Sequence, residues 1–172
     1  MALFWAMPGT AHGQIFGTNE SADTIGEYTT SGTPVGSGTL VSSGLDDPYG
    51  IAVSGSDIFV TNIHNDTIGE YTTSGAPVGS GTLVSSGLDD PIGIAVSGSD
   101  IFVANPGDDT IAEFTTSGAP VGSGTLVSSG LDYPNGIAVL APVPEPAGWA
   151  MLGTGLCVCV LLGLRKMPCR DS

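Results

Sequence analysis

Carboxylates are the side chains numerous and clustered enough to do chemistry in this chain. Asp46-Asp47, Asp89-Asp90 and Asp108-Asp109 are adjacent pairs, and Asp66 stands between the first two pairs. Hard cations take clustered oxygen ligands, so Asp46, Asp47, Asp66, Asp89, Asp90, Asp108 and Asp109 are candidate ligands for low-affinity calcium. The competing reading is that these residues cap backbone amides in turns. No loop has the Asp-x-Asp-x-Asp-Gly spacing of a dedicated calcium loop, and no other cofactor is expected. Catalytic groups are sparser. His64 is the one histidine after residue 13. It is a candidate lone general base, or simply a solvent-facing loop residue. Glu27, Glu70 and Glu113 recur at equivalent places rather than forming a pair. The serines sit in Gly-Ser and Ser-Ser turns without a nucleophile elbow, and no phosphate-cradling loop occurs. The residues point away from an enzyme.

Charge excludes further classes. Acids outnumber bases 17 to 3, for a net charge of -14. The bases, Arg165, Lys166 and Arg170, all follow residue 164. Binding to nucleic acid needs cations to neutralise phosphates, so no nucleic-acid partner is expected, and anionic lipid surfaces are disfavoured for the same reason. Cys157, Cys159 and Cys169 also lie near the C-terminus, which leaves no disulfide for the preceding domain.

What must position the acids is a repeat. Asp23, Asp66 and Asp109, then Ile25, Ile68 and Ile111, then Pro48, Pro91 and Pro134 recur at an offset of 43 residues. A period of this length fits propeller blades and some helical arrays. Short, β-rich apolar runs decide for strands, at residues 50–53, 57–61, 67–72 and 81–85 of one repeat. Turn signals separate them at residues 54–57, 62–66, 74–77 and 87–91. No window long enough for a helix keeps a 3.6-residue pattern free of glycine or proline. The expected fold class is all-β, with tandem 43-residue, four-stranded propeller-blade repeats in three units (near 23–65, 66–108 and 109–139).

The succession Pro-x-Gly-Ile-Ala-Val, Ile-Phe-Val-Thr/Ala-Asn and Thr-Ile-x-Glu-Tyr/Phe resembles NHL-type and lyase-type propellers over residues 14–139. Ser54 and Ser97 stand where those families usually carry Asp. The basic residue usual before the third-strand Ile is Thr here. The resemblance implies antiparallel blades of strands A to D, and propeller lyases use a histidine-centred site, for which His64 is the one candidate. The B–C and D–A loops then share a face. That face collects Glu20, Asp23, Asp132 and the seven calcium candidates, while Asp57 and Asp100 fall on the other. The phase of the repeat is informative. Residues 15–19 align with strand B, and residues 136–139 form a lone strand A. Pairing the last A with the first B would complete a third blade. Propellers usually have four to eight blades, so a homodimer making a six-bladed ring is the preferred expectation. A truncated product and an open three-unit stack are the rivals.

The two ends read as addresses. Residues 1–13 look like the second half of a signal peptide, with an apolar stretch at 3–7 and Ala11-His12-Gly13 as a cleavage pattern. Residues 140–146 are a proline-rich linker. Residues 147–164 carry no charge, and eighteen helical residues span roughly 27 Å, close to a bilayer core. Residues 165–172 form a basic tail, which stays cytoplasmic. Pro144, Glu145 and Pro146, then an apolar helix with Trp149 near its start, then Arg165 and Lys166, resemble a PEP-CTERM sorting signal of Gram-negative bacteria. The resemblance implies an exosortase partner, anchoring in the inner membrane, and delivery to the cell surface or an exopolysaccharide matrix. The expected function is therefore an exported binding or adhesion module, with exopolysaccharide or envelope glycans as partners. The alternatives are an extracellular propeller lyase or hydrolase, and an uncleaved type I membrane protein. Asn19-Glu-Ser21 and Asn65-Asp-Thr67 match glycosylation sequons and are read as turns.

Overall fold

The computed structural model describes residues 13–140. The leader, the sorting motif Pro144-Glu145-Pro146, the expected helix at 147–164 and the basic residues Arg165 and Lys166 lie outside the described residues. Among the described residues no helix is long and apolar enough to cross a membrane.

Eleven strands form three antiparallel sheets. The first contains β1 (Gln14–Asn19), β2 (Thr24–Thr29) and β3 (Pro34–Val41). The second contains β4 (Pro48–Ser54), β5 (Asp57–Asn62), β6 (Thr67–Thr72) and β7 (Pro77–Val84). The third contains β8 (Ile94–Ser97), β9 (Asp100–Asn105), β10 (Thr110–Thr115) and β11 (Pro120–Val127). Each sheet follows chain order, so neighbouring strands are joined by tight turns. The sheets are out of phase with the 43-residue repeat, because each runs from a strand A or B to a strand D.

Two expectations about strands are corrected. The last strand of each sheet starts at Pro34, Pro77 or Pro120, four residues before the Gly-Thr-Leu-Val run. Glycines at positive φ (Gly36 at 59° and Gly38 at 82°) let the chain bulge there and continue pairing with shifted register. Residues 136–139 do not form a strand. The equivalent residues β4 and β8 are strands because β5 and β9 offer them an open edge. Among the described residues no such edge pairs with 136–139. The first sheet correspondingly has three strands, not four.

The core lies between sheets. Side chains alternate across a strand, and β5 shows the result. Ile58 and Val60 pack with Ile25 and Val41 of the first sheet, whereas Phe59 packs with Ile101, Val103 and Phe114 of the third. The second sheet is thus buried on both faces, and Asp57 alone of the β5 residues is not fully buried. This double burial explains the continuous apolar run Ile58-Phe59-Val60.

A hydroxyl ties adjacent sheets at their inner strands. Buried Thr61 accepts from the Gly50 N–H and donates to the Ile92 carbonyl, both at 2.8 Å. Gly50 is required there, because a Cβ would collide with that same carbonyl. Thr18 repeats the donation, to the Tyr49 carbonyl at 2.7 Å. In the third sheet the position is Ala104, whose backbone instead pairs with Ile92 and Gly93. Thr61→Val keeps the shape but orphans two backbone groups. At about 1–3 kcal/mol for a buried unsatisfied group, it is expected to lower unfolding free energy by about 2 kcal/mol in urea titration, and Thr18→Val, at a more exposed site, by under about 1 kcal/mol.

Candidate functional site

The loop face is built by backbone amides seeking acceptors. Asp23, Asp66 and Asp109 end the turns between the second and third strand positions in left-handed conformation, at φ 50°, 53° and 55°. Aspartate tolerates this region because its short side chain bonds locally. Each carboxylate accepts one N–H from the segment that follows its own sheet. Asp47 donates to Asp23 at 2.9 Å, Asp90 to Asp66 at 2.8 Å and Tyr133 to Asp109 at 2.7 Å. The same loop is held from the other side. Asp46 N–H donates to Asn62 Oδ1 at 3.3 Å, and Asp89 N–H to Asn105 Oδ1 at 2.8 Å. Both asparagines are buried. The loop between two sheets is therefore pinned to a carboxylate of the sheet before it and to a carboxamide of the sheet after it.

These bonds put the two loop sets on one face, as the acid sorting expected, and distribute the calcium candidates. Asp66, Asp89 and Asp90 come together, with one oxygen from each within 4.8 Å of the others. Asp108 approaches the same cluster. The Asp89 carboxyl lies over Gly107, and a Cβ there would make it shift. Its pKa is raised above the ordinary carboxylate value by lost solvation first, then by the charges of Asp108, Asp66 and Asp90. Asp46 and Asp47 occupy the preceding junction, where His64 Nδ1 stands 3.9 Å from Asp47 Oδ2. Asp109 belongs to the last junction, beside Tyr133. The seven carboxylates thus make one triad with a close neighbour, one pair and one isolated group. Three converging oxygens can meet a hydrated hard cation, and the carboxylates also do the capping that the competing reading expected.

Other candidates are placed elsewhere. His64 is largely exposed on the loop face, with Asp47 as its acidic neighbour. Glu27, Glu70 and Glu113 lie in the middle of β2, β6 and β10, opposite Phe16, Phe59 and Phe102. Glu27 is buried and accepts from Gln14 Nε2. Burial raises the pKa of Glu70, and Asp57 adds to it. A groove of about 320 Å³ opens between the outer strands of the second and third sheets, lined by Leu83, Ser86, Phe114, Pro120 and Ser123 among others. Sequence reasoning missed Asn62, Asn105 and Thr61. Their signal was available as polar residues kept at the end of an otherwise apolar strand, with Asn recurring at positions 19, 62 and 105.

The Asp89 shift has a definite sign. Its folded pKa lies above the unfolded one, so its contribution favours folding at acid pH and is lost as pH rises through the folded value. Asp89→Asn is expected to melt at a higher temperature than the parent at pH 7, with the gap closing as pH falls below the carboxylate range. Thermal scans by circular dichroism between pH 3 and 7 check this.

No protein-family model and no curated protein matches the chain. Solved structures do match. A chain of a nidogen/laminin complex is 25% identical with a TM-score of 0.63, over 73% of this chain and 48% of that one. Virginiamycin B lyase from Staphylococcus aureus is 21% identical with a TM-score of 0.56, over 74% of this chain and 42% of that one. Hydrazine synthase from Kuenenia stuttgartiensis is 19% identical with a TM-score of 0.55, over 70% and 34%. The first two are β-propeller folds, and the three sheets of this chain share that character. The chain spans less than half the length of each of these structures.

Proposed function

We propose that the protein is an exported surface or matrix binding module, delivered by its C-terminal segment. One observation carries the reading. Pro144-Glu145-Pro146, an uncharged run over 147–164 and then Arg165-Lys166 follow in that order, and no Lys or Arg occurs earlier in the chain. Basic residues are retained on the cytoplasmic side, so the sheets stand outside. An exosortase reads the motif and processes the tail, and the inner membrane holds the chain until then. A domain without cysteine or cation suits that destination.

The binding half of the reading draws on the folded domain. One loop face of the sheets carries the acid clusters. Exopolysaccharide or envelope glycans are the partner class, and calcium, held weakly at Asp66, Asp89 and Asp90, is the ion suited to the face. The virginiamycin B lyase likeness is a likeness of fold. A lyase reading for this chain would need a base, and His64 is the residue to test, as His64→Ala.

Replacing Pro144 and Pro146 with Ala is expected to abolish processing in cells that express an exosortase. Mass spectrometry of the full chain and the released product checks it. The wild type yields a shortened product, and the double variant stays full length in the membrane fraction. A shortened product of unchanged mass from the variant refutes the sorting role. Full-length wild-type protein found only in membranes refutes cleavage and leaves an anchored type I protein.

A further inference from the structure

The two interior junctions are copies of each other, and the two ends of the described chain are their unmatched halves. At each interior junction the Ile of strand B meets the sheet before it. Ile58 and Ile101 are 0% exposed in this position, whereas Ile15, the same residue one repeat earlier, is 48% exposed. The surface such an Ile meets is built by Ile25 and Val41 in one case and by Ile68 and Val84 in the next, all buried. On the third sheet the equivalent residues, Ile111 and Val127, are only partly buried, and Leu126 beside them is 53% exposed. One apolar face at each end of the array lacks the neighbour that its own repeat specifies.

The polar parts are halved in the same way. Asn62 and Asn105 are 1% exposed and each accepts a loop N–H. Asn19 is exposed, and the loop amide that would reach such an asparagine, Asp132 N–H, is on the far end. Gly50 and Gly93 are crowded by backbone one repeat further on, at Ile92 and Asn135, whereas Gly136 has nothing within 4 Å. A recess of about 290 Å³ lined by Thr18, Glu20, Pro48 and Tyr49 lies where a strand A of the first sheet would pass. Residues 136–139 carry the strand A sequence Gly-Ile-Ala-Val.

We propose that two copies of this chain join head to tail at both ends and close a ring of six sheets. Residues 137–139 of each copy add to β1 of the other in the register already seen for β4 on β5 and β8 on β9, which sets Val139 opposite Ile15 of the second copy. Asp132 N–H then reaches Asn19, Gly136 N–H reaches the Thr18 hydroxyl, and Ile15 packs on Ile111 and Val127. A second copy is the occupant because the two faces complement each other by repeat identity. A chain closing on itself would cover Ile15 and Leu126, and both are exposed. With two-fold symmetry both junctions form together and the open edge of β1 gains a partner in each copy. The inference holds whatever sorts the protein.

The test uses the full chain in detergent, with Cys157, Cys159 and Cys169 changed to Ser. Chains carrying Ile15→Cys are mixed with chains carrying Val139→Cys and oxidised. The expected product is a disulfide dimer that neither single variant gives alone. Light scattering of the wild type, corrected for detergent, is expected to give twice 17.1 kDa. Ile15→Asp is expected to halve that mass while keeping the far-ultraviolet β signal. A wild-type monomer, a disulfide formed only within one chain in the Ile15→Cys/Val139→Cys double variant, or a ladder of larger species each overturns the closed dimer.

Discussion

The fold depends on where a few loop amides find acceptors. An antiparallel sheet satisfies its own backbone within the sheet, but the chain that leaves one sheet for the next cannot. Here that chain donates one N–H forward to a buried asparagine and the next N–H backward to an aspartate. The two bonds fix the distance and the rotation between sheets more directly than apolar packing does, since hydrophobic contact is non-directional. They also explain why acids crowd one face. Asp23, Asp66 and Asp109 are there to accept an amide, and the repulsion around Asp89 is a cost of putting several such turns side by side.

Apolar burial then completes what the amides align. The second sheet is covered on both sides, and its strand β5 is buried on both faces along Ile58-Phe59-Val60. The outer sheets have identical sequences at most positions and are covered on one side. Burial at a given repeat position therefore reports position in the array rather than residue type. This is visible in Ile15, Ile58 and Ile101, one residue type at one repeat position, buried at the two interior junctions and exposed where no sheet stands before it.

Much of this was legible in the chain. The 43-residue offset located three sheets, and the β-rich runs located their strands, because period and turn residues are local properties. The start of the fourth strand was misread at Pro77, since glycines at positive φ look like a turn but here form a bulge inside a strand. Residues 136–139 carry a strand sequence and still form none, because strand formation needs a partner edge that sequence alone does not supply. The acid-rich face followed from sorting loops by strand order. The convergence of Asp66, Asp89 and Asp90 did not, because residues 23 apart meet only through the Asp90-to-Asp66 bond. Nor did Asn62 and Asn105 stand out, since a buried carboxamide at the end of a strand announces nothing until the loop it holds is placed.

Residues 1–164 hold no Lys or Arg, so the sheets are held together by neutral dipoles, by amides on carboxylates and by apolar contact. Beyond His64 near Asp47, the described domain has no ion pair to weaken. Dissolved salt usually plays two opposing parts, loosening attractions and easing repulsions. Here the first part is nearly absent. Rising salt concentration screens the crowded carboxylates and takes little away, so the folded domain gains from salt more than it loses.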